Sequence, residues 1–456
     1  MRVRTSNLTP WFIAGLLGLS CSSKSDGDGG LVHLDGPSGA PDAGPAAPTF
    51  AVVDILECGQ AGYQTVAASN GSRVAFATLA TTTQTAPCAN SAAPTPVYGI
   101  CVVLPTATGF AGSIVTSQPY VSRMGVGITL DQSGEPVLAY TGGPAGSMRC
   151  GATDMLMASV SGGQLGTPRT IAADSKSTGM PADQAVNCSA QDVCNQGDAT
   201  GYWPSIARDP SSGALGVAFR DLHFGVADTD YASSDVEFAL SNDAYAVYTV
   251  DVARGGGTYN RLAFSPAGKA AVAHYTLEHL PAVWLDYQTA QGWSSQKLFT
   301  GTIDKNQTDS GIGFGISAQG LYALAYFDDA KKLLMYREST DGETWTAADY
   351  VDRGGLTGFY PSLAFDDQGN PAVAYYRCGD SSGGGSCDPT KDGLYLAIRR
   401  QDTWEIHQAA GDPTIRDGLY PALAFVGGKA VIAYQSIYYD PVAATTKYAL
   451  HVAKEM

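Results

Sequence analysis

The chain is short of positive charge. It carries 27 Lys and Arg against 43 Asp and Glu, a formal net charge of −16, and no basic run. Such a body repels phosphate backbones and anionic headgroups, which disfavours nucleic-acid binding and polybasic membrane docking. Histidine is scarce at 6 residues, and no CxxC pair or finger-like His spacing accompanies the 9 cysteines, so zinc is not expected. His274 and His279, across a turn, match no ligand spacing. Asp228 and Asp230 are weak calcium candidates that lack the EF-hand pattern. A Gly-rich phosphate cradle and a nucleophile elbow are both absent, and no cofactor is expected. The one sizeable apolar run, Leu8 to Leu19, is too short to span a bilayer, which takes about 20 residues.

That run follows Arg2 and Arg4 and precedes small residues, the order of a secretory signal over 1–20. LGLSC (17–21) resembles the lipobox of bacterial lipoproteins, with Gly18 where that family usually has Leu. The resemblance implies a diacylated Cys21 and a protein of the bacterial cell envelope, at the outer membrane or cell surface, touching the membrane only through its lipid. Residues 21–48 are Ser, Gly, Asp, Pro and Ala with few large apolar side chains, a disordered tether reaching roughly 30 Å. Export suits disulfides. Cys188 with Cys194 and Cys378 with Cys387 form local pairs in Gly-rich insertions, while Cys58, Cys88, Cys101 and Cys150 leave three pairings open.

From 49 to 456 one phrase returns seven times: an apolar run, a tight turn, a second apolar run ending in an aromatic residue. Examples are GVGITLDQSGEPVLAY (125–140), NRLAFSPAGKAAVAHY (260–275) and YPSLAFDDQGNPAVAYY (360–376). Each is a hairpin signature, and further strand-like runs follow it, such as LYLAIRR (394–400) and WEIHQ (404–408). Units of about 50–60 residues with four antiparallel strands, repeated radially, describe a β-propeller. The expected fold is therefore all-β with seven four-stranded blades; a misread first or fifth copy would make it six or eight. The last copy has only three strands, so FAVVDILE (50–57) is expected to complete it and close the ring.

STDGETW (339–345) resembles the Asp-box turn of sialidase-like propellers, with one residue missing between Asp341 and Gly342. RQDTW (400–404) and TAQGW (289–293) are weaker echoes. The resemblance implies the propeller and a structural turn, not a reaction. The Phe-Arg-Ile-Pro phrase that introduces the sialidase arginine clamp is missing, so sialidase activity is not expected.

In a propeller, the loops leading into the inner strand and those joining the second strand to the third share one face. Aromatic residues precede the inner strands at Tyr63, Tyr202, Trp203, Tyr259, Tyr360 and Tyr420, and Arg377 opens a long insertion. Aromatic faces stack on sugars or peptide side chains, so this face is the candidate binding surface for a glycan, a peptide or an envelope protein, on a monomeric body. Each ring could equally pack against the neighbouring blade. Arg220, Asp221 and His223 stand out as odd residues in an otherwise uniform phrase. With Asp328 they are the groups a glycoside hydrolase or lyase would use. A scaffold without a small ligand is the third reading.

Overall fold

Within each phrase the second apolar run carries no polar alternation, because it is covered on both faces by adjacent blades. Pro136–Gly142, Ala270–Thr276 and Tyr322–Asp328 are buried at every residue, whereas an outer strand such as Thr403–Ala410 is largely exposed. The computed structural model describes residues 47–86, 95–115, 121–142, 153–173, 199–222, 234–251, 256–276, 282–301, 311–378 and 392–456. Its strands form seven four-stranded antiparallel blades in a ring, as the phrase count predicts. Blades one and two share a continuous ladder through the pair Tyr98↔Val121. No helix among the described residues is long and apolar enough to cross a membrane.

The ring closes where expected. Phe50–Asp54 lies antiparallel on the last strand, from Phe50↔Glu455 to Asp54↔His451, and becomes the fourth strand of blade seven. A hydrogen-bond chain reinforces the seam. The His451 ring nitrogens lie 2.8 Å from Asp54 Oδ1 and 2.8 Å from Ser436 Oγ. The order matches a serine nucleophile relay, but Ser436 is 1% exposed and within no substrate's reach, so the chain serves to hold the closing strand. Just after that strand, a disulfide joins Cys58 to Cys101 and so ties the closing segment to blade one. Cys378 is also disulfide-bonded. Cys21, Cys188, Cys194 and Cys387 lie outside the described residues, as do His223, Asp228 and Asp230.

The turn between the first two strands is built on one acceptor. Asp131 Oδ1 takes the backbone N–H of Ser133 and Glu135, and Asp366 Oδ1 takes those of Gln368 and Asn370. Burial pushes these carboxyls up, yet the converging donors win and hold both below 3.8. The Asp-box turn forms in blade five as the resemblance implies: Asp341 Oδ1 accepts from Glu343 N, Thr344 N and Ser339 Oγ, and Trp345 Nε1 donates to Gly342 O at 3.1 Å. Backbone donors from Thr344 and Glu343 pull the Asp341 carboxyl down to about 2.

Candidate functional site

Every inner strand opens on one residue in the left-handed region. These residues are Gln64 (φ 53°), Gly125 (118°), Trp203 (47°), Tyr259 (56°), Gly311 (65°), Tyr360 (55°) and Tyr420 (48°). For a non-glycine residue this conformation costs about 1–3 kcal/mol, and Pro204, Pro361 and Pro421 restrict three of the preceding residues further. In blades one, three, four, six and seven the strand ladder skips register at this point, as between Phe359 and Ser362. The skip takes the residue out of the sheet and turns it to the axis. All seven line one axial cavity of about 220 Å³.

The cavity is thus ringed by a collar of four aromatic residues, one glutamine and two glycines. Tyr360 and Tyr420 sit with ring centroids 4.2 Å apart, and Tyr63 meets Tyr420 edge-on at 5.0 Å. On the other side Trp203 and Tyr259 are 5.9 Å apart. Gly125 and Gly311, three blades apart, bring no side chain between these two groups, so among the described residues the collar is a slot with two aromatic walls. Repeated strain at one level of a fold marks a position where backbone ease has yielded to side-chain placement.

In blades one, three, four, six and seven a glycine two residues before the collar (Gly62, Gly201, Gly257, Gly358, Gly418) lets the strand end abut the previous blade. At Gly418 (φ 100°) an added Cβ would meet Leu394 N at 2.4 Å. Two residues past the collar the blades carry Val66, Gly127, Ser205, Arg261, Gly313, Ser362 and Ala422. Ser205 and Ser362 accept the backbone N–H of Leu262 and Leu423 in the next blade. Arg261 alone is large and charged there, and among the described residues it is the only charged one lining the cavity. Among the described residues its one hydrogen bond runs from Nη1 to Asn260 O, at 3.0 Å. Burial lowers its pKa to about 10, which leaves it cationic at neutral pH.

The sequence candidates separate cleanly. Trp203, Tyr259, Tyr360 and Tyr420 are collar residues, while Tyr202 is buried behind Trp203 with ring centroids 5.9 Å apart. Arg377 braces a loop: it donates to Gly354 O, lies 3.7 Å from Asp352 and covers the Tyr395 ring. Arg220, Asp221 and Asp328 do not line the cavity. Arg220 is 0% exposed, donates to Thr258 Oγ1 at 3.0 Å and supports the Trp203 ring at 5.4 Å. Asp328 is 2% exposed and closes its own turn, accepting from Ala330 N and Lys331 N and pairing with the Lys331 ammonium. Arg220 and Asp328 are thus held by contacts within the blades. Gln64 and Arg261, by contrast, line the cavity although neither is among the sequence candidates.

Two further places invite chemistry. Asp251, His274 and Asp286 form a buried cluster, with His274 Nε2 at 2.9 Å from Asp286 Oδ2. Gly257 N donates to His274 Nδ1 at 3.1 Å. The three side chains come from blades three and four, and none of them lines the collar cavity. A wider cavity of about 550 Å³ opens at the hairpin-turn face, but it is lined by turn residues such as Gln319, Asp367 and Gly428, with none of the collar's rings.

Asp417 lies three residues before Tyr420 and is 5% exposed. Burial, then Asp412 and Asp392, push its carboxyl from 3.8 up to about 7. The folded state therefore holds a proton that the unfolded chain releases between pH 4 and 7. Stability falls across that window, and the penalty is complete above pH 7. The depressed aspartates act oppositely: their contribution is present above about pH 4 and is lost as pH falls through their folded values. Asp417→Asn is expected to raise the unfolding free energy at pH 8 by roughly 2–4 kcal/mol and to change nothing at pH 4, since one pKa unit is about 1.4 kcal/mol. Denaturation at the two pH values checks it.

Fold and site together define a seven-bladed propeller with an aromatic-walled axial slot. No protein-family model matches the sequence, and no curated protein matches it. Among solved structures, the chain is similar to a protein of unknown function from Dyadobacter fermentans (9% identity, TM-score 0.43, covering 90% of this chain and 98% of that one). It is likewise similar to the Hadza microbial sialidase Hz136 (11%, 0.44, 78% and 73%). The α-L-arabinanase of Penicillium chrysogenum aligns over 77% of this chain and 97% of its own, at 11% identity and TM-score 0.43. At such identities the likeness extends to the propeller and to nothing chemical.

Proposed function

We propose that this protein is a binding module whose ligand, a glycan or peptide chain, enters the collar of the axial channel. The observation that carries the reading is the seven-fold left-handed position, which turns Trp203, Tyr259, Tyr360 and Tyr420 toward one cavity. Large flat side chains converging on a pocket are the usual anchors of recognition. In a ligand screen of the 49–456 body, replacing both Tyr360 and Tyr420 by Ala is expected to weaken binding about 30-fold or more, as losing a hot spot of ≥ 2 kcal/mol does. The circular dichroism of the fold should persist; unchanged affinity would remove the collar from the account.

A glycoside hydrolase is the second reading; Asp417 is its candidate acid, although it is buried and does not line the axial cavity, so it would act outside the aromatic slot. A carboxylic acid with its pKa near 7 is half protonated at neutral pH and suited to donate a proton to a leaving group. We further propose export and anchoring through Cys21, on the strength of the signal-like N-terminus and the LGLSC phrase. Cys21→Ala should release the protein from the membrane fraction; retention would contradict the anchor.

A further inference from the structure

We propose that Arg261 forms the anion-binding floor of the collar and that the ligand is a peptide inserted end-on, its terminal carboxylate on the guanidinium and its last side chain between the aromatic walls. The proposal rests on the collar being the ligand site, and it names the chemistry that site selects.

Three observations support it. First, Arg261 breaks a row of small residues. Gly127, Ser205, Gly313 and Ser362 leave space at the level where its side chain lines the cavity. Second, its charge is not neutralised: among the described residues no carboxylate pairs with it, and its one hydrogen bond goes to the Asn260 carbonyl. A guanidinium has five N–H donors in a planar fork, so most of the fork is left for a planar anion. A paired carboxylate would form two parallel charge-assisted hydrogen bonds, the strongest polar contact available in a half-buried pocket.

Third, the walls offer apolar contact to the body of a ligand beside their polar groups Gln64, Thr65, Ser205 and Ser362. Below the rings they are built from Val66, Val126, Ile128, Pro204, Pro361 and Leu363. The hydroxyls of Ser205 and Ser362 already serve the backbone of the next blade. A polyhydroxylated sugar would meet the Gln64 amide and the Arg261 fork as side-chain partners there, few for its hydroxyls, which disfavours it against a ligand with one charged end. The cavity of about 220 Å³ is smaller than a drug-sized pocket of roughly 300–1,000 Å³, so it takes a chain end and not a chain interior.

The test uses calorimetry on the full chain with the tripeptide Ala-Ala-Phe as free acid, the same tripeptide as C-terminal amide, and an oligosaccharide ending in a uronic acid. The free acid is expected to bind at least about 10-fold more tightly than the amide, the effect of one charge-assisted pair. Arg261→Met, matched in length but neutral, should remove that difference while the thermal melt stays close to wild type, and Arg261→Lys should restore part of it. Equal binding of acid and amide, with both lost in Tyr360→Ala/Tyr420→Ala, would overturn the role of Arg261 and keep the collar. Binding of the uronic-acid oligosaccharide in place of either tripeptide would overturn the peptide. An acid–amide difference that survives Arg261→Met would place the anion elsewhere, and no binding by any of the three would overturn the proposal.

Discussion

Gly418→Ala is expected to cost about 3 kcal/mol or more of stability, the sum of left-handed strain and overpacking at one site. The added Cβ would lie 2.4 Å from Leu394 N and 2.7 Å from both Gly393 C and Leu394 Cα, backbone atoms that no rotamer change can move aside. The φ of 100° adds a conformation that alanine rarely adopts. Blade seven would have to withdraw from blade six, displacing Tyr420 from its contact with Tyr360. Gly59→Ala is the control, because a Cβ there meets nothing within 4 Å although its φ is also positive, at 58°. Urea denaturation of both variants checks the pair; a loss under about 1 kcal/mol at Gly418 would mean that the blades are not held at this spacing.

Removing residues through Asp54 should have an effect of similar size. The five residues Phe50–Asp54 pair with the last strand, and at about 0.5–1.5 kcal/mol per ladder hydrogen bond their loss costs several kcal/mol. Asp54 also withdraws the carboxylate that holds His451. The last strand, Thr445–Glu455, then becomes an exposed edge, so early proteolysis there and self-association are expected beside the lower melting temperature. Unchanged melting and protease resistance would show that the ring does not need this seam.

The blades were legible because their determinants are local. A hairpin phrase states its strands and turn within about 16 residues, and the unpartnered FAVVDILE (50–57) beside a three-stranded last copy identified the closing strand. The Asp-box turn was legible for the same reason. The collar was legible only in part. Its aromatic members could be listed, but Gln64, Gly125 and Gly311 share their position only once the bulges fix the register, and a bulge here depends on contact with the neighbouring blade. Oddness within the uniform phrase pointed to Arg220 and applied equally to Arg261. Burial separates the two: Arg220 lies 0% exposed beneath Trp203, and Arg261 lines the cavity. That difference arises from the ring of blades, which no single copy encodes. The carboxyl of Asp417 is a similar case, since one of the charges that raise it, Asp392, belongs to the neighbouring blade.

The most direct test of the central claim is a crystal structure of the 49–456 body with a ligand recovered from the screen. Ligand density is expected in the axial slot, between the Tyr360–Tyr420 wall and the Trp203–Tyr259 wall, with its polar end toward Arg261. Density on the outer loops or at the hairpin-turn face, with the collar holding only water, would contradict it.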